Sequence, residues 1–513
     1  MATRLTYTTG SRSAELDRAF EAALAEARER EPEPLEHLVG GRDLAVGEGF
    51  EREDPSRRRH LASRAYEGAK VVADAVEAGH AAQREWRRLP YGERLAVLRA
   101  TEQLIGERKL ELAAAISMEV GKVRTESIAE VEEAIDLIET YCRQVESAEG
   151  FETPLGQLAP DERNTDVLLP YGVFGVIAPF NFPFALGFGM TAAALAAGNA
   201  VVLKPPEEAP LAGGAVARLL AEAGVPDGVI SLVHGGPETG DALVGSPLDG
   251  VAFTGSAEVG REIGRRLSDG PFPRPVLAEM GGKNAAIVGA SADLDAAAEG
   301  IAKAAFGFSG QKCSACSRAI VVDAAHDELV ERLAELARVT SVGDPADPEV
   351  ATGPVVNAQA VERFERSIEM VRRDGLVAAG GSRGDDTGWF VAPTVVSGLP
   401  LGHPLTRDEL FLPFVTVVRV PDFDAALAEA NAVPYGLTAG VFSREDDELD
   451  RFLDEIEAGV VYVNRRAGAT TGAWPGVQSF CGWKSSGLTG KGGLGPYYVQ
   501  QFAREQSRTI VEQ

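Results

Sequence analysis

Cysteine is scarce. Four thiols, at positions 142, 313, 316 and 481 of 513 residues, are too few and too scattered for a disulfide framework. The six histidines, at 37, 60, 80, 234, 326 and 403, place no second ligand pair after Cys313-x-x-Cys316 at the spacing a zinc site needs, so no metal is expected. Apolar runs of the ~18 residues that a membrane span requires are missing. Charge interrupts residues 1–17, where a signal peptide would read as apolar, and a cytoplasmic, soluble protein is expected. Basic residues are outnumbered: 50 Lys and Arg against 77 Asp and Glu give a formal charge of -27, which argues against nucleic acid or an anionic membrane surface as partner. The G-x-G-x-x-G dinucleotide fingerprint is absent as well.

What is there is globular in composition, 45% hydrophobic and 25% charged, and long enough for two or three domains with substantial cores. Apolar residues recur at three and four spacing over 14–30, 62–87, 91–120 and 126–149, so the first 150 residues or so read as mostly helical. The run EREPEPLEHLVGGRDL reads as a loop, Arg57 to His60 as a solvated charged face, and Phe151 to Asp166 as a connection. From Tyr171 the pattern changes to short apolar runs, YGVFGVIAP, NAVVLKP, GVISLVHG and LDGVAFTG, alternating with helical spans at 193–197, 209–223, 238–245 and 258–267. Strands buried on both faces and separated by helices predict βαβ units and a parallel sheet. The fold class is α/β.

Chemistry concentrates between Ala278 and Arg318. Glu279 stands before Gly281, Gly282 and Lys283; a strand over 285–288 and a helix over 294–306 follow, and then Cys313. A cysteine is intrinsically a good nucleophile, and a carboxylate near it can move protons on a thiol or a water. The two are 34 residues apart, so only the folded crossover would bring them together; otherwise Cys313 is an ordinary buried thiol. Elsewhere, Lys204 and Glu207 follow a strand in VVLKPPEEAP, and FTGSAEVGREIG turns into a helix whose N-terminus could hold pyrophosphate. Asn181 lies in the proline-bounded PFNFP, where its amide could help form an oxyanion hole with the Cys313 backbone N–H.

These segments, in this order and spacing, resemble the active-site signatures of the aldehyde dehydrogenase superfamily, and the likeness runs from about residue 40 onward. It implies an aldehyde dehydrogenase fold: a variant doubly wound NAD-binding domain (1–152 and 171–278), an α/β catalytic domain (279–478) and a small oligomerisation sheet (153–170 and 479–513). It implies Cys313 as nucleophile, Glu279 as general base and Asn181 as oxyanion donor. Lys204 and Glu207 would reach the adenosine ribose; Thr254, Gly255, Ser256 and Gly260 would line the dinucleotide site. In RDELFLPF, Glu409 would bond the nicotinamide ribose and Phe411 would pack near the nicotinamide. A carboxylate at 207 would repel a 2'-phosphate, so NAD is expected in preference to NADP. Phe180 stands where tryptophan is commoner, and Leu412 where glycine is usual.

Lys312 and Ser314 flanking Cys313, with TGAWPGVQSF downstream, narrow the likeness to the L-glutamate gamma-semialdehyde (1-pyrroline-5-carboxylate) dehydrogenases. That subgroup implies a substrate carboxylate held by Ser314 and the backbone of Gly472 and Ala473, with Phe182 and Phe480 bracketing the aliphatic stem. Ser479 and Cys481 replace a common proline and glycine, and Trp474 and Pro475 replace smaller aliphatic residues. A homo-oligomer acting on a small-molecule aldehyde is expected. Two alternatives stay open: a dehydrogenase for another aldehyde such as succinate semialdehyde, which a lysine or arginine gripping the carboxylate would favour, and a non-catalytic binding homologue, which would lack one of Cys313, Glu279 or Asn181.

Overall fold

The computed structural model describes residues 5–8 and 13–511; positions 1–4 and 9–12 of the expected NAD-binding domain, and 512 and 513 of the expected oligomerisation segment, lie outside it. Two seven-stranded sheets carry the molecule. In the first, the strands Val173–Ile177, Ala200–Lys204, Ile230–Leu232, Gly250–Gly255 and Val276–Met280 run parallel and lie side by side in the order 276–280, 250–255, 173–177, 200–204, 230–232. This is the doubly wound arrangement, whose switch point falls between 173–177 and 250–255. Strands His37–Val39 and Arg42–Leu44 extend it antiparallel at one edge.

In the second sheet, Leu376–Ala379 pairs antiparallel with Thr394–Ser397, and Phe414–Val420, Cys316–Val322, Asn284–Val288, Thr438–Phe442 and Val460–Val463 continue in parallel. Their near-continuous Val, Ile and Ala sequences fit strands covered on one face by helices Leu294–Phe306 and Asp323–Val339 and on the other by Phe423–Asn431 and Asp446–Glu455. Residues 281–283 lead directly from Val276–Met280 of the first sheet into Asn284–Val288, an inner strand of the second. The site grows at that seam.

A third, antiparallel sheet of Glu152–Pro154, Glu162–Pro170 and Ala503–Val511 pairs over nine positions, from Ala503 opposite Pro170 to Val511 opposite Glu162. Of the expected outer segment 479–513, only this last strand joins the small sheet. Within 479–502, Phe480 packs partly, and Tyr498, Val499 and Phe502 fully, against the core that covers helix Arg124–Ser147, while Trp483–Lys484 pairs antiparallel with Tyr435–Gly436.

The expected helix over 62–87 is corrected at its start. Arg57–Tyr66 is a strand, paired with Gly49–Asp54, and the helix runs Val72–Trp86. The stretch read as a loop likewise holds the strands Pro34–Leu35, His37–Val39 and Arg42–Leu44. Alternating exposure along Gly49–Asp54 gives the pair one solvated face, and its arginines mimic the charged side of a helix.

Candidate active site

Asn284 and Cys316 are partners at the start of neighbouring parallel strands, so the residues just before each of them meet at one edge of the sheet. Glu279 and Cys313 are such residues. Asn284 ties the turn down: its Nδ2 donates to the carbonyls of Cys313 at 2.7 Å and of Ala315 at 2.9 Å. A Cβ at Gly282 would stand 2.6 Å from the Cys313 carbonyl, which explains the glycine in E-x-G-G-K. Ser314 is fixed by Thr470, whose hydroxyl donates to its carbonyl at 2.7 Å.

Glu279, Cys313, Lys312, Ser314, Phe182, Phe480, Gly472, Ala473 and Thr254 all face one cavity of about 380 Å³. Glu279 Oε1 accepts from the Gly493 amide at 2.6 Å. Burial pushes its carboxyl up to about 7, the Gly493 bond opposing, which is where a general base for neutral solution belongs. Burial also raises the Cys313 thiol, helped by the charges of Glu409 and Glu279, while the Ser314 and Cys313 backbone amides favour the thiolate. Cys316 is a different thiol. It is fully buried, and its Sγ donates to the Arg318 carbonyl at 3.5 Å. All four cysteines are free.

Asn181 is 3% exposed, in the turn after strand 173–177 and next to Phe182. The loop opposite is held by Arg465, which donates to the carbonyls of Thr471 and of Gly472, the latter at 3.3 Å. Gly472 has φ +99, a backbone geometry that other residues adopt only at a cost. Trp474 is anchored by its Nε1, which donates to Asp136 Oδ2 at 2.7 Å. The Lys312 ammonium sits 2.5 Å from Glu126 Oε1, which takes one of its three donors.

The residues expected at the dinucleotide line the carboxyl ends of the first sheet. Lys204 is 6% exposed, and one of its three N–H donors goes to the Pro205 carbonyl at 3.2 Å, leaving donors for ribose hydroxyls. A Cβ at Gly236 would stand 2.2 Å from Glu207 Oε2, so that strand end and helix Pro237–Gly245 approach closely and a larger residue would displace the Glu207 carboxylate. Ser256 caps helix Ala257–Ser268, accepting from the Val259 amide at 3.3 Å. These groups fit an adenine dinucleotide. Gly255 and Gly260 have a further reason to be glycine: Cβ atoms there would stand 2.4 Å from Phe253 Cζ and Met280 Sδ respectively. Glu409 accepts from the Gly282 amide at 2.9 Å, and burial moves its carboxyl up to about 7. Phe411 packs edge-on to Phe180 at 5.7 Å. The left-handed backbone of this loop falls on Phe411, φ 57, and Leu412 is simply buried.

Several residues of the site were not singled out from sequence. Lys122 and Glu130, both wholly buried, form an ion pair at 2.6 Å. Lys122 Nζ lies 3.5 Å from the centre of the Phe182 ring, and Glu130 Oε1 accepts from the Phe184 and Ala185 amides at 2.9 and 3.2 Å, capping helix Ala185–Ala196. Glu126 and Glu133 line the cavity from the same helix as Glu130. The signal was their spacing, 126, 130 and 133, one stripe of carboxylates on a helix. Arg52 ion-pairs with Glu207 at 3.0 Å and donates from Nε to its backbone carbonyl at 2.7 Å.

A partly buried thiol and a carboxyl share one cavity beside an open α/β sheet, the pairing of groups that thiol-based covalent catalysis requires. The chain belongs to the aldehyde dehydrogenase family, whose model matches residues 44–507. It is 36% identical over 502 residues to the 1-pyrroline-5-carboxylate dehydrogenase of Geobacillus sp. (strain WCH70), 96% of each chain being covered. Among solved structures, 1-pyrroline-5-carboxylate dehydrogenase from Thermus with bound NAD superimposes with a TM-score of 0.93 at 35% identity, over 98% of each chain. Proline utilization A from Bdellovibrio bacteriovorus also gives 0.93 at 35% identity, over 97% of this chain and 52% of that one.

Proposed function

We propose that this chain is an NAD-dependent dehydrogenase that oxidises L-glutamate gamma-semialdehyde, in equilibrium with 1-pyrroline-5-carboxylate, to L-glutamate. The observation that carries the reading is the cavity where Cys313 and Glu279 face Ser314, Gly472 and Ala473, in a chain alike over 96% of its length to a 1-pyrroline-5-carboxylate dehydrogenase. Lys312 gives one donor to Glu126, and Arg465 donates to loop carbonyls. We assign the substrate carboxylate to Ser314 and the loop backbone, with the remaining donors of Lys312 in the same cavity.

Cys313 Sγ attacks the aldehyde carbon, and its proton passes to Glu279 or solvent. The Asn181 amide and the Cys313 backbone N–H bond the resulting oxyanion. NAD, when bound, accepts the hydride that turns the thiohemiacetal into a thioester. Glu279 then takes a proton from the water that attacks the thioester carbon, and the C–S bond breaks to release glutamate and the thiol. Lys204, Glu207, Ser256 and Glu409 are the residues that would hold the dinucleotide.

We read the chain as an NAD-binding domain (1–152 and 171–278), a catalytic domain (279–478) and a small sheet that pairs subunits in a homo-oligomer. No helix among the described residues is long and apolar enough to cross a membrane. Free cysteines suit a reducing compartment, and we place the enzyme in the cytoplasm; fractionation of cells into another compartment would contradict this. The functional reading is tested by a panel of glutamate semialdehyde, succinate semialdehyde and pentanal followed by NADH absorbance. A carboxylate held by charged hydrogen bonds worth about 1.5–3 kcal/mol each should favour glutamate semialdehyde over pentanal at least tenfold in kcat/KM. A ratio near one, or a preference for succinate semialdehyde, would withdraw it.

A further inference from the structure

We propose that Tyr7 forms the wall of the aldehyde pocket beside the Gly472 loop and limits the length of the aldehyde that the enzyme accepts. Tyr7 comes from a segment distant in sequence from every other residue of the cavity, yet it lines that cavity together with Cys313. Its ring bridges the two sides of the pocket. It meets Phe182 edge-on, with centroids 5.6 Å apart and planes at 82°, and Trp474 at 5.5 Å and 64°. Lys312 Nζ lies 5.4 Å from the ring centre, and the hydroxyl donates to Glu133 Oε2 at 2.5 Å.

The neighbouring residues hold the ring in place. Leu5 is buried in the main core. Thr8 Oγ1 accepts from Arg465 Nη2 at 3.5 Å, and a Cβ at Gly472 would stand 2.7 Å from Thr8 Cγ2. The same Arg465 thus ties the Tyr7 segment and the loop carbonyls together. An aldehyde whose carbonyl is at Cys313 and whose stem runs between the flanking aromatics meets the Tyr7 ring once it outgrows the space in front of the loop. A pocket wall of this kind discriminates by steric exclusion, and hydrophobic pockets separate homologues by about 10- to 200-fold. The hydroxyl acts apart from the ring, supplying a donor to the Glu133 carboxyl, which burial has pushed up to about 7.

The inference rests on the reading of this cavity as the aldehyde site and not on glutamate semialdehyde as the substrate. Its test therefore uses uncharged straight-chain aldehydes. Tyr7→Ala is expected to raise the kcat/KM ratio of octanal over pentanal by about tenfold, with the gain in KM. Tyr7→Phe, which keeps the ring, should leave that ratio within about twofold. Tyr7→Trp should lower it, and carries the test alone if Tyr7→Ala does not fold. An unchanged ratio in folded Tyr7→Ala and Tyr7→Trp, or equal shifts in Tyr7→Ala and Tyr7→Phe, overturns the proposal. Should the panel above reject glutamate semialdehyde, the alkanal ratios still decide the role of Tyr7.

Discussion

Glu279 has two proton transfers open to it, one from the thiol before hydride transfer and one from water after it, and its replacement separates them. With Glu279→Gln, mixing enzyme, NAD and aldehyde should still give a burst of about one NADH per site, followed by a steady state slowed by about two to four orders of magnitude. A stopped-flow trace without the burst would move Glu279 to the thiol step. In the wild type the steady rate should rise with pH through about 7, as the buried carboxyl loses its proton, and Glu279→Gln should lose that rise.

Arg52 changes what Glu207 can do. The carboxylate repels a 2'-phosphate, but the guanidinium 3.0 Å away offsets part of that repulsion. Both side chains are about one-third exposed, so the pair is worth a modest amount, about 0.2–1 kcal/mol. Titrating each nucleotide into Arg52→Ala should show the Kd of NADP over that of NAD rising by about two- to fivefold; an unchanged or falling ratio would remove Arg52 from cofactor choice. Glu279 and Cys313 could be singled out in sequence as a carboxylate and a thiol, but their spacing did not show that they meet; the family resemblance supplied their pairing, and the structure brings both to one cavity. Arg52 and Tyr7 were not legible, because each reaches its partner across most of a domain, and no local pattern encodes such a contact.

At the scale of elements, the strands after 171 could be read from their unbroken apolar runs, and the helices between them ended within a few residues of expectation. Strand Arg57–Tyr66 could not, since four arginines and a histidine on a half-exposed hairpin carry no apolar period. The tail 479–513 was legible only as glycine-rich chain; its division into an inward part and an outward strand depends on Gly493 meeting Glu279 and on Tyr498 meeting Tyr141. Ala503–Val511 is exposed along almost its whole length and lies at the edge of its sheet, with Ile510 and Val511 43% and 55% exposed. An edge strand with unpaired backbone groups invites another chain. Removing residues from Ala503 onward should reduce the molar mass measured by light scattering to that of a smaller assembly while helix content is kept. A truncated chain of unchanged stoichiometry would place the subunit contact elsewhere.

The whole molecule combines a large negative charge with buried acids, and both act on stability in the same direction. Glu119, Glu133, Glu279 and Glu409 are each pushed by burial up to about 7. Their folded values lie above the ordinary carboxyl value of 4.5, so between those two pH values the native chain holds protons that the unfolded chain has released. The stability these four acids contribute is greatest at the acidic end of this window and is lost as pH rises through about 7, while buried His234 and Lys283, lowered by burial to about 3 and about 7, act the other way. The formal charge of -27 also favours acidification by relieving repulsion, but salt screens exposed charges far more than buried ones. The melting temperature is therefore expected to be higher at pH 6 than at pH 8, and the difference should survive ~0.5 M sodium chloride. Glu119 isolates the buried contribution, because it caps helix Pro210–Glu222 through the Leu211 and Ala212 amides at 3.0 and 2.8 Å, away from the reacting groups. Glu119→Gln removes the titration and keeps an acceptor for one of those two amides, so, whatever its absolute stability, the gap between the two melting temperatures should narrow in that variant. A gap that salt abolishes, or that Glu119→Gln leaves untouched, would assign the pH dependence to the surface.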